Sequence, residues 1–223
     1  MRICFLAFGV NHALAQVMIS SVREHMPNAI VTQLTDMRSG RVPGVDEVRR
    51  MEGKTYPYIL FKHMADVPEP FIRVDYDMIF QGDITHILEG DHDLAFNLHS
   101  DPEVLATWGK DYPFATCIWG ANRGKEFVED FRKRHLESGR DDWMGLIPSV
   151  NETIRSGKYK IRSLPGEIYN YTPKDRNDRP KGALVIHFKG TRKSWMLPEE
   201  SEHLAYGDMT RLLGKIQPLG KNP

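Results

Sequence analysis

A mixed α/β fold with a mostly parallel sheet follows from three features of the sequence. Residues 2–8 read as a buried strand bounded by Gly9. Residues 11–25 then place Leu14, Val17, Met18 and Val22 at helical spacing, and residues 29–34 read as a second strand. Strand, helix and strand in that order make a βαβ unit, the building block of a parallel sheet. The third feature is a series of further short strand candidates along the chain, at residues 71–74, 93–98, 115–120, 161–164 and 183–188.

The other elements are read in chain order. Asn11 is placed to cap the first helix, and Pro27-Asn28 ends it. The polar stretch 37–54 has little periodicity and is expected as a loop. Residues 56–67 are expected as a helix closed off by Pro68 and Pro70. Residues 125–137 carry a clear amphipathic helix pattern, residues 172–182 a loop, and residues 200–216 a final helix. Ligands of such sheets gather at the carboxyl ends of the strands.

The chain has 223 residues, 40% hydrophobic and 27% charged, enough to bury a core without a disulfide or structural metal. Cys4 and Cys117 are far apart and belong to no CxxC, which argues against zinc held through cysteine. The apolar start is too short for a signal peptide, and no run approaches the ~20 apolar residues that cross a bilayer. A soluble, cytoplasmic protein is expected. Thirty basic residues balance thirty acidic ones, so no global field marks a nucleic-acid binder. The charge is uneven, however. Between Thr153 and Trp195 eleven Lys and Arg face only Glu167, Asp175 and Asp178. That stretch is either a solvated basic face or a surface that handles an anion such as a diphosphate.

The chemistry centres on Asp75-Tyr76-Asp77, which follows the apolar run Phe71-Ile72-Arg73-Val74. Two carboxylates at a strand end can converge on one hard divalent cation. A second element is His187-Phe188-Lys189-Gly190-Thr191-Arg192-Lys193-Ser194-Trp195, after the apolar run that ends at Ile186. Its imidazole can complete a carboxylate-rich metal site, Gly190 permits close backbone approach to a phosphate, and Lys193 supplies a point charge. Taken singly, each has a plainer reading: a solvated turn, a structural histidine, core packing for Trp195. Asp91-His92-Asp93, with His86 and His99, reads as a polar loop rather than a second metal site.

These motifs, in this order, resemble the glycogenin-like retaining glycosyltransferases, a family with the A-type fold. Asp75-Tyr76-Asp77 resembles the family's Asp-x-Asp, and His187-x-x-Gly190-x-x-Lys193-x-Trp195 its C-terminal motif. Leu164-Pro165 and Tyr169-Asn170-Tyr171 are similar to the segment before that histidine. Lys62 and the opening strand with Asn11-His12-Ala13 match donor-contacting positions. The resemblance implies one domain over residues 1–223. Its nucleotide-binding part is about 1–85, its acceptor and C-terminal metal and diphosphate part about 86–196, and its last helix about 200–216.

It also implies a Mn²⁺ or Mg²⁺ ion held by Asp75, Asp77 and His187, and a nucleotide-sugar donor, a UDP-sugar by default. Phe8, Asn11 and Lys62 would lie near the donor, with Gly190 and Lys193 at its distal phosphate. Asp142 would line the sugar pocket. Two departures stand out: Ala115-Thr116-Cys117 replaces the family's Asn-Ser-Gly, and Asp142-Trp143 its Asp-Gln. Retention of anomeric configuration is implied by the resemblance alone. The acceptor (a saccharide, a protein or a modified nucleic-acid base) and the oligomeric state are not encoded in any motif. Two other readings remain: a non-catalytic nucleotide-sugar or nucleic-acid binding module, and an aspartyl-nucleophile phosphatase, which also uses Asp-x-Asp after an apolar strand.

Overall fold

The computed structural model of the chain describes residues 1–8, 12–52, 64–109, 111–139 and 145–199. Its strands are β1 (Arg2–Leu6), β2 (Ile30–Asp36), β3 (Glu47–Met51), β4 (Phe71–Val74), β5 (Met78–Phe80), β6 (Leu94–Leu98), β7 (Phe114–Ala121), β8 (Ile161–Leu164) and β9 (Val185–His187). Its helices are α1 (His12–His25), α2 (Pro102–Trp108), α3 (Lys125–Glu137), α4 (Leu146–Arg155) and the single turn α5 (Gly166–Tyr169). Seven strands form one sheet in the order β3-β2-β1-β4-β7-β6-β8, in which only β7 runs against the rest. β5 and β9 pair antiparallel as a separate ribbon.

The period-2 geometry of a strand explains why β1 is apolar from Ile3 to Leu6. Ile3 and Phe5 enter one core with Ala15, Met18 and Val22 of α1. Cys4 and Leu6 enter the other, with Phe71, Phe96, Trp119 and the α3 residues Phe127, Val128 and Phe131. Helices therefore cover both faces. A third apolar cluster ties Leu14 of α1 to Ile186, Phe188, Met196 and Leu197, which anchors the C-terminal segment on the first helix. Among the described residues no helix is long and apolar enough to cross a membrane.

Several expectations are corrected. Residues 37–54 are not loop throughout: β3 adds an edge strand beside β2. Its sequence Glu-Val-Arg-Arg-Met has no alternation to read because an edge strand keeps polar residues outward, and Arg2 bridges to Glu47 at 2.5 Å to hold it. β5, α2 and α4 also went unread. β5 has three residues, and α4 carries Pro148 in its first turn, a position where a helix tolerates proline but pattern reading stops. Of the helix expected at 56–67, residues 64–67 are described: 64–66 are helical, and Val67 has already left the helix as a bend. The final helix expected at 200–216 and the Asn11 cap lie outside the described residues.

β6 runs out at the carboxyl edge of the sheet into His99, whose N–H donates to the Pro113 carbonyl. Gly166 of α5 approaches the Leu98 and His99 carbonyls so closely that a Cβ there would sit 2.7–2.8 Å from both oxygens. The approach buries His99, and its Nε2 has no hydrogen-bond partner. Burial and the nearby Lys189 ammonium push this imidazole down to about 4, against the weaker opposing pull of Asp101. The fold therefore favours neutral His99, while the unfolded chain takes up its proton near pH ~6.5. Stability from this group is complete above about 6.5 and is lost as pH falls from there toward about 4. The unfolding free energy of the wild type should fall over that window relative to His99→Gln, measured by urea denaturation at each pH. Parallel profiles for the two proteins would contradict the assignment.

Candidate metal centre

Backbone pairing, rather than side-chain attraction, brings the distant motifs together. Asp75 follows β4 at its carboxyl end, Asp77 precedes β5, and His187 ends β9. The β5–β9 register sets Met78 opposite His187, and Phe188 N–H donates to the Asp77 carbonyl at 2.9 Å. On its other side β9 is held by Tyr171, which accepts from His187 N–H at 2.8 Å and donates to Val185 O at 3.1 Å. Asn170, next to Tyr171, is thereby aimed at the histidine.

The side chains then converge. His187 Nε2 lies 3.2 Å from Asp77 Oδ1 and 3.8 Å from Asp75 Oδ2. The second oxygen of each carboxylate is engaged elsewhere: Asp75 Oδ1 with Arg73 at 2.5 Å and Asp77 Oδ2 with Lys193 at 3.0 Å. Each carboxylate thus meets a cation of the chain with one oxygen and turns the other to the imidazole. His187 Nδ1 donates to Asn170 Oδ1 at 2.9 Å, which leaves Nε2 as the nitrogen that faces the carboxylates. One ligand atom each from Asp75, Cys117 and His187 lie within 4.8 Å of one another. This donor set is of the kind that holds a divalent cation.

Asp77 and His187 are both buried. Burial alone would lift the Asp77 carboxyl, but the His187 and Lys193 charges hold it well below the usual carboxylate range. Burial likewise opposes a charge on His187, and the Asp77 carboxylate reverses this, holding the imidazole up to about 9. A cation at Nε2 must displace that proton, so metal occupancy falls in acid. Burial also works against the Lys193 ammonium, and Asp77 and the Tyr76 ring outweigh it. Nζ sits 4.9 Å above the ring centroid and 3.3 Å from the Tyr76 hydroxyl.

Gly190 has φ 58° and opens a 3₁₀ turn, Gly190–Met196, that carries Lys193 to Asp77 and packs Trp195 against the third cluster. Phe8 lies two residues past β1 on the same edge, packed against the second core. Asn11, Lys62 and Asp142 lie outside the described residues. The basic run divides. Lys158 pairs with Asp130 at 3.0 Å and Lys160 with Asp91 at 2.7 Å, at the amino end of β8 and the opposite edge of the sheet. Arg162 donates to the His86 and Glu89 carbonyls. That half is a structural and solvated face, whereas Lys193 reaches the Asp77 carboxylate. Asp91-His92-Asp93 is a loop stapled by Lys160, Arg123 and the Ile87 carbonyl.

Four residues of the centre escaped the sequence reading. Arg73 was read only as part of the strand Phe71–Val74, yet it is buried, bridges to Asp75 and donates to the Thr116 carbonyl. Asn170 belonged to a noted motif without an assigned contact. Cys117 stood out only as part of the departure from Asn-Ser-Gly, and Asn97 not at all, because β7 and β6 bring them in through sheet register: Val74 pairs with Ile118, and the β6–β7 register shifts beside Asn97.

No family model matches this chain, and no curated protein matches it. Solved structures do. The galactosyltransferase LgtC in complex with donor and acceptor sugar analogues is 16% identical, with a TM-score of 0.60 over 99% of this chain and 98% of that one. An active-site glutamine-to-glutamate mutant of LgtC gives a TM-score of 0.61 at 15% identity over the same shares. The apo form of the glycosyltransferase GlyE from Streptococcus pneumoniae TIGR4 gives 0.62 at 16% identity, covering 96% of this chain and 62% of that one. At these identities the likeness establishes the fold: a mixed, mainly parallel sheet between helices, of the glycosyltransferase A type.

Proposed function

We propose that the chain is a metal-dependent glycosyltransferase that moves a sugar from a nucleotide-sugar donor, by default a UDP-sugar, to an acceptor, with retention as the stereochemistry its motifs resemble. The observation that carries this is that Asp75 and Asp77 both come within 3.8 Å of His187 Nε2 on an A-type fold, with Lys193 on Asp77. Asp75, Asp77 and His187 would hold Mn²⁺ or Mg²⁺. When bound, such a cation neutralises charge that builds on a departing nucleoside diphosphate. Lys193, which meets Asp77 at 3.0 Å, would supply a second positive charge for the distal phosphate. Gly190 leaves the backbone bare where that phosphate would approach. Phe8, Asn11 and Lys62 are assigned to the donor and Asp142 to the sugar pocket on resemblance alone.

The test is release of UDP from UDP-glucose and UDP-galactose by the full chain, with water or a saccharide panel as acceptor. Turnover should appear with Mn²⁺, vanish in EDTA and return on re-addition. Asp77→Asn should lower kcat at least about 100-fold while leaving the fold intact by circular dichroism. Full turnover in EDTA would rule the proposal out. Tight donor binding without turnover would favour a non-catalytic nucleotide-sugar module instead.

A further inference from the structure

The proposed transfer chemistry leaves one buried nucleophilic group of this edge without a task, the thiol of Cys117. It is 6% exposed, and its sulfur belongs to the group with Asp75 and His187 whose ligand atoms all lie within 4.8 Å of one another. Two asparagines clasp it. Asn97 Nδ2 donates to Sγ at 3.3 Å, and the S–H donates to Asn170 Oδ1 at 3.3 Å. That same Asn170 oxygen accepts from His187 Nδ1, so one carboxamide orients both the imidazole and the sulfur. Asn97 is itself fixed, with Oδ1 accepting from Ile118 N–H at 2.9 Å. A small buried hydrophobe needs none of this. Shared outer partners that hold ligand atoms in place are what a metal site requires.

We propose that Cys117 is a thiolate ligand of the cation held by Asp75 and His187, making a mixed carboxylate, imidazole and thiolate centre that selects Zn²⁺ or Co²⁺ over Mg²⁺. Sulfur is a soft donor that suits zinc and cobalt, whereas Mg²⁺ demands oxygen ligands in octahedral array. With metal bonds of about 2.0–2.3 Å, tetrahedral ligand atoms stand roughly 3.5 Å apart, so the group needs a contraction of roughly 1 Å. As the sulfur–metal bond forms, the S–H proton leaves to solvent. The thiolate keeps the Asn97 N–H donor, and Asn170 Oδ1 keeps the His187 Nδ1–H, so neither carboxamide loses its last partner. This deepens the metal-dependent reading above, replacing its Mg²⁺ with a softer ion, and rests on it only for the presence of a cation at these residues.

The test needs no nucleotide or sugar. X-ray absorption on the zinc-loaded full-length wild type should show one sulfur neighbour at about 2.3 Å. Co²⁺ titration should raise a near-ultraviolet sulfur-to-cobalt charge-transfer band in the wild type and in Cys4→Ser, and none in Cys117→Ser. The preference for Zn²⁺ over Mg²⁺ should fall at least tenfold in Cys117→Ser. A zinc shell of nitrogen and oxygen only, failure of zinc to bind, or an unchanged cobalt band in Cys117→Ser would each overturn the assignment. The absorption result stands even if Cys117→Ser does not fold. Donor turnover with an all-oxygen-and-nitrogen shell would sink this inference alone. A sulfur shell with no turnover on any donor would sink the transferase reading alone.

Discussion

The centre depends on a three-residue ladder. β5 and β9 are joined by pairing of Met78 with His187, Ile79 with Ile186 and Phe80 with Val185. Without that pairing His187 has no reason to stand beside Asp77, since more than a hundred residues of chain separate them. The ladder is short, and its stability comes from what packs on it. Ile186 and Phe188 lie against Leu14 of α1, and Tyr171 closes the open side of β9 with two backbone hydrogen bonds. The first helix of the chain and the last described turn thus hold a ribbon that would be marginal alone.

Charge accounts for the remaining geometry. Two carboxylates this close to one imidazole would repel one another if nothing else were near. Arg73 and Lys193 each take one oxygen, and the free oxygens are left to converge on Nε2. The result is a network, buried at Arg73, Asp77 and His187 and half-buried at Asp75 and Lys193, in which every charge has a partner, the condition under which buried ions are tolerated. A divalent cation held here would take the place of the proton on His187 Nε2, with Lys193 beside it on the other oxygen of Asp77.

Much of this was legible in the sequence, for physical reasons that differ by element. β1, β4 and α3 carry strong apolar patterns because both sheet faces or one helix face are buried, and their expected positions agree with the structure closely. β3 was missed because edge strands suppress that pattern, and α4 because Pro148 interrupts it. The Asp75, Asp77 and His187 triad was legible as motifs. Arg73, Asn97, Cys117 and Asn170 were not, because their roles arise from register between strands distant in sequence. No local spacing encodes that Ile118 pairs with Val74 and so carries Cys117 to the Asp75 end of β4.

The central claim is that a ladder of backbone pairs assembles a single cation site from Asp75, Asp77 and His187. Anomalous diffraction from crystals soaked in Mn²⁺ tests it most directly. The account predicts one dominant peak within ligand distance of an Asp75 oxygen, an Asp77 oxygen and His187 Nε2. A dominant peak elsewhere, or none at these residues with the site open to solvent, would contradict it.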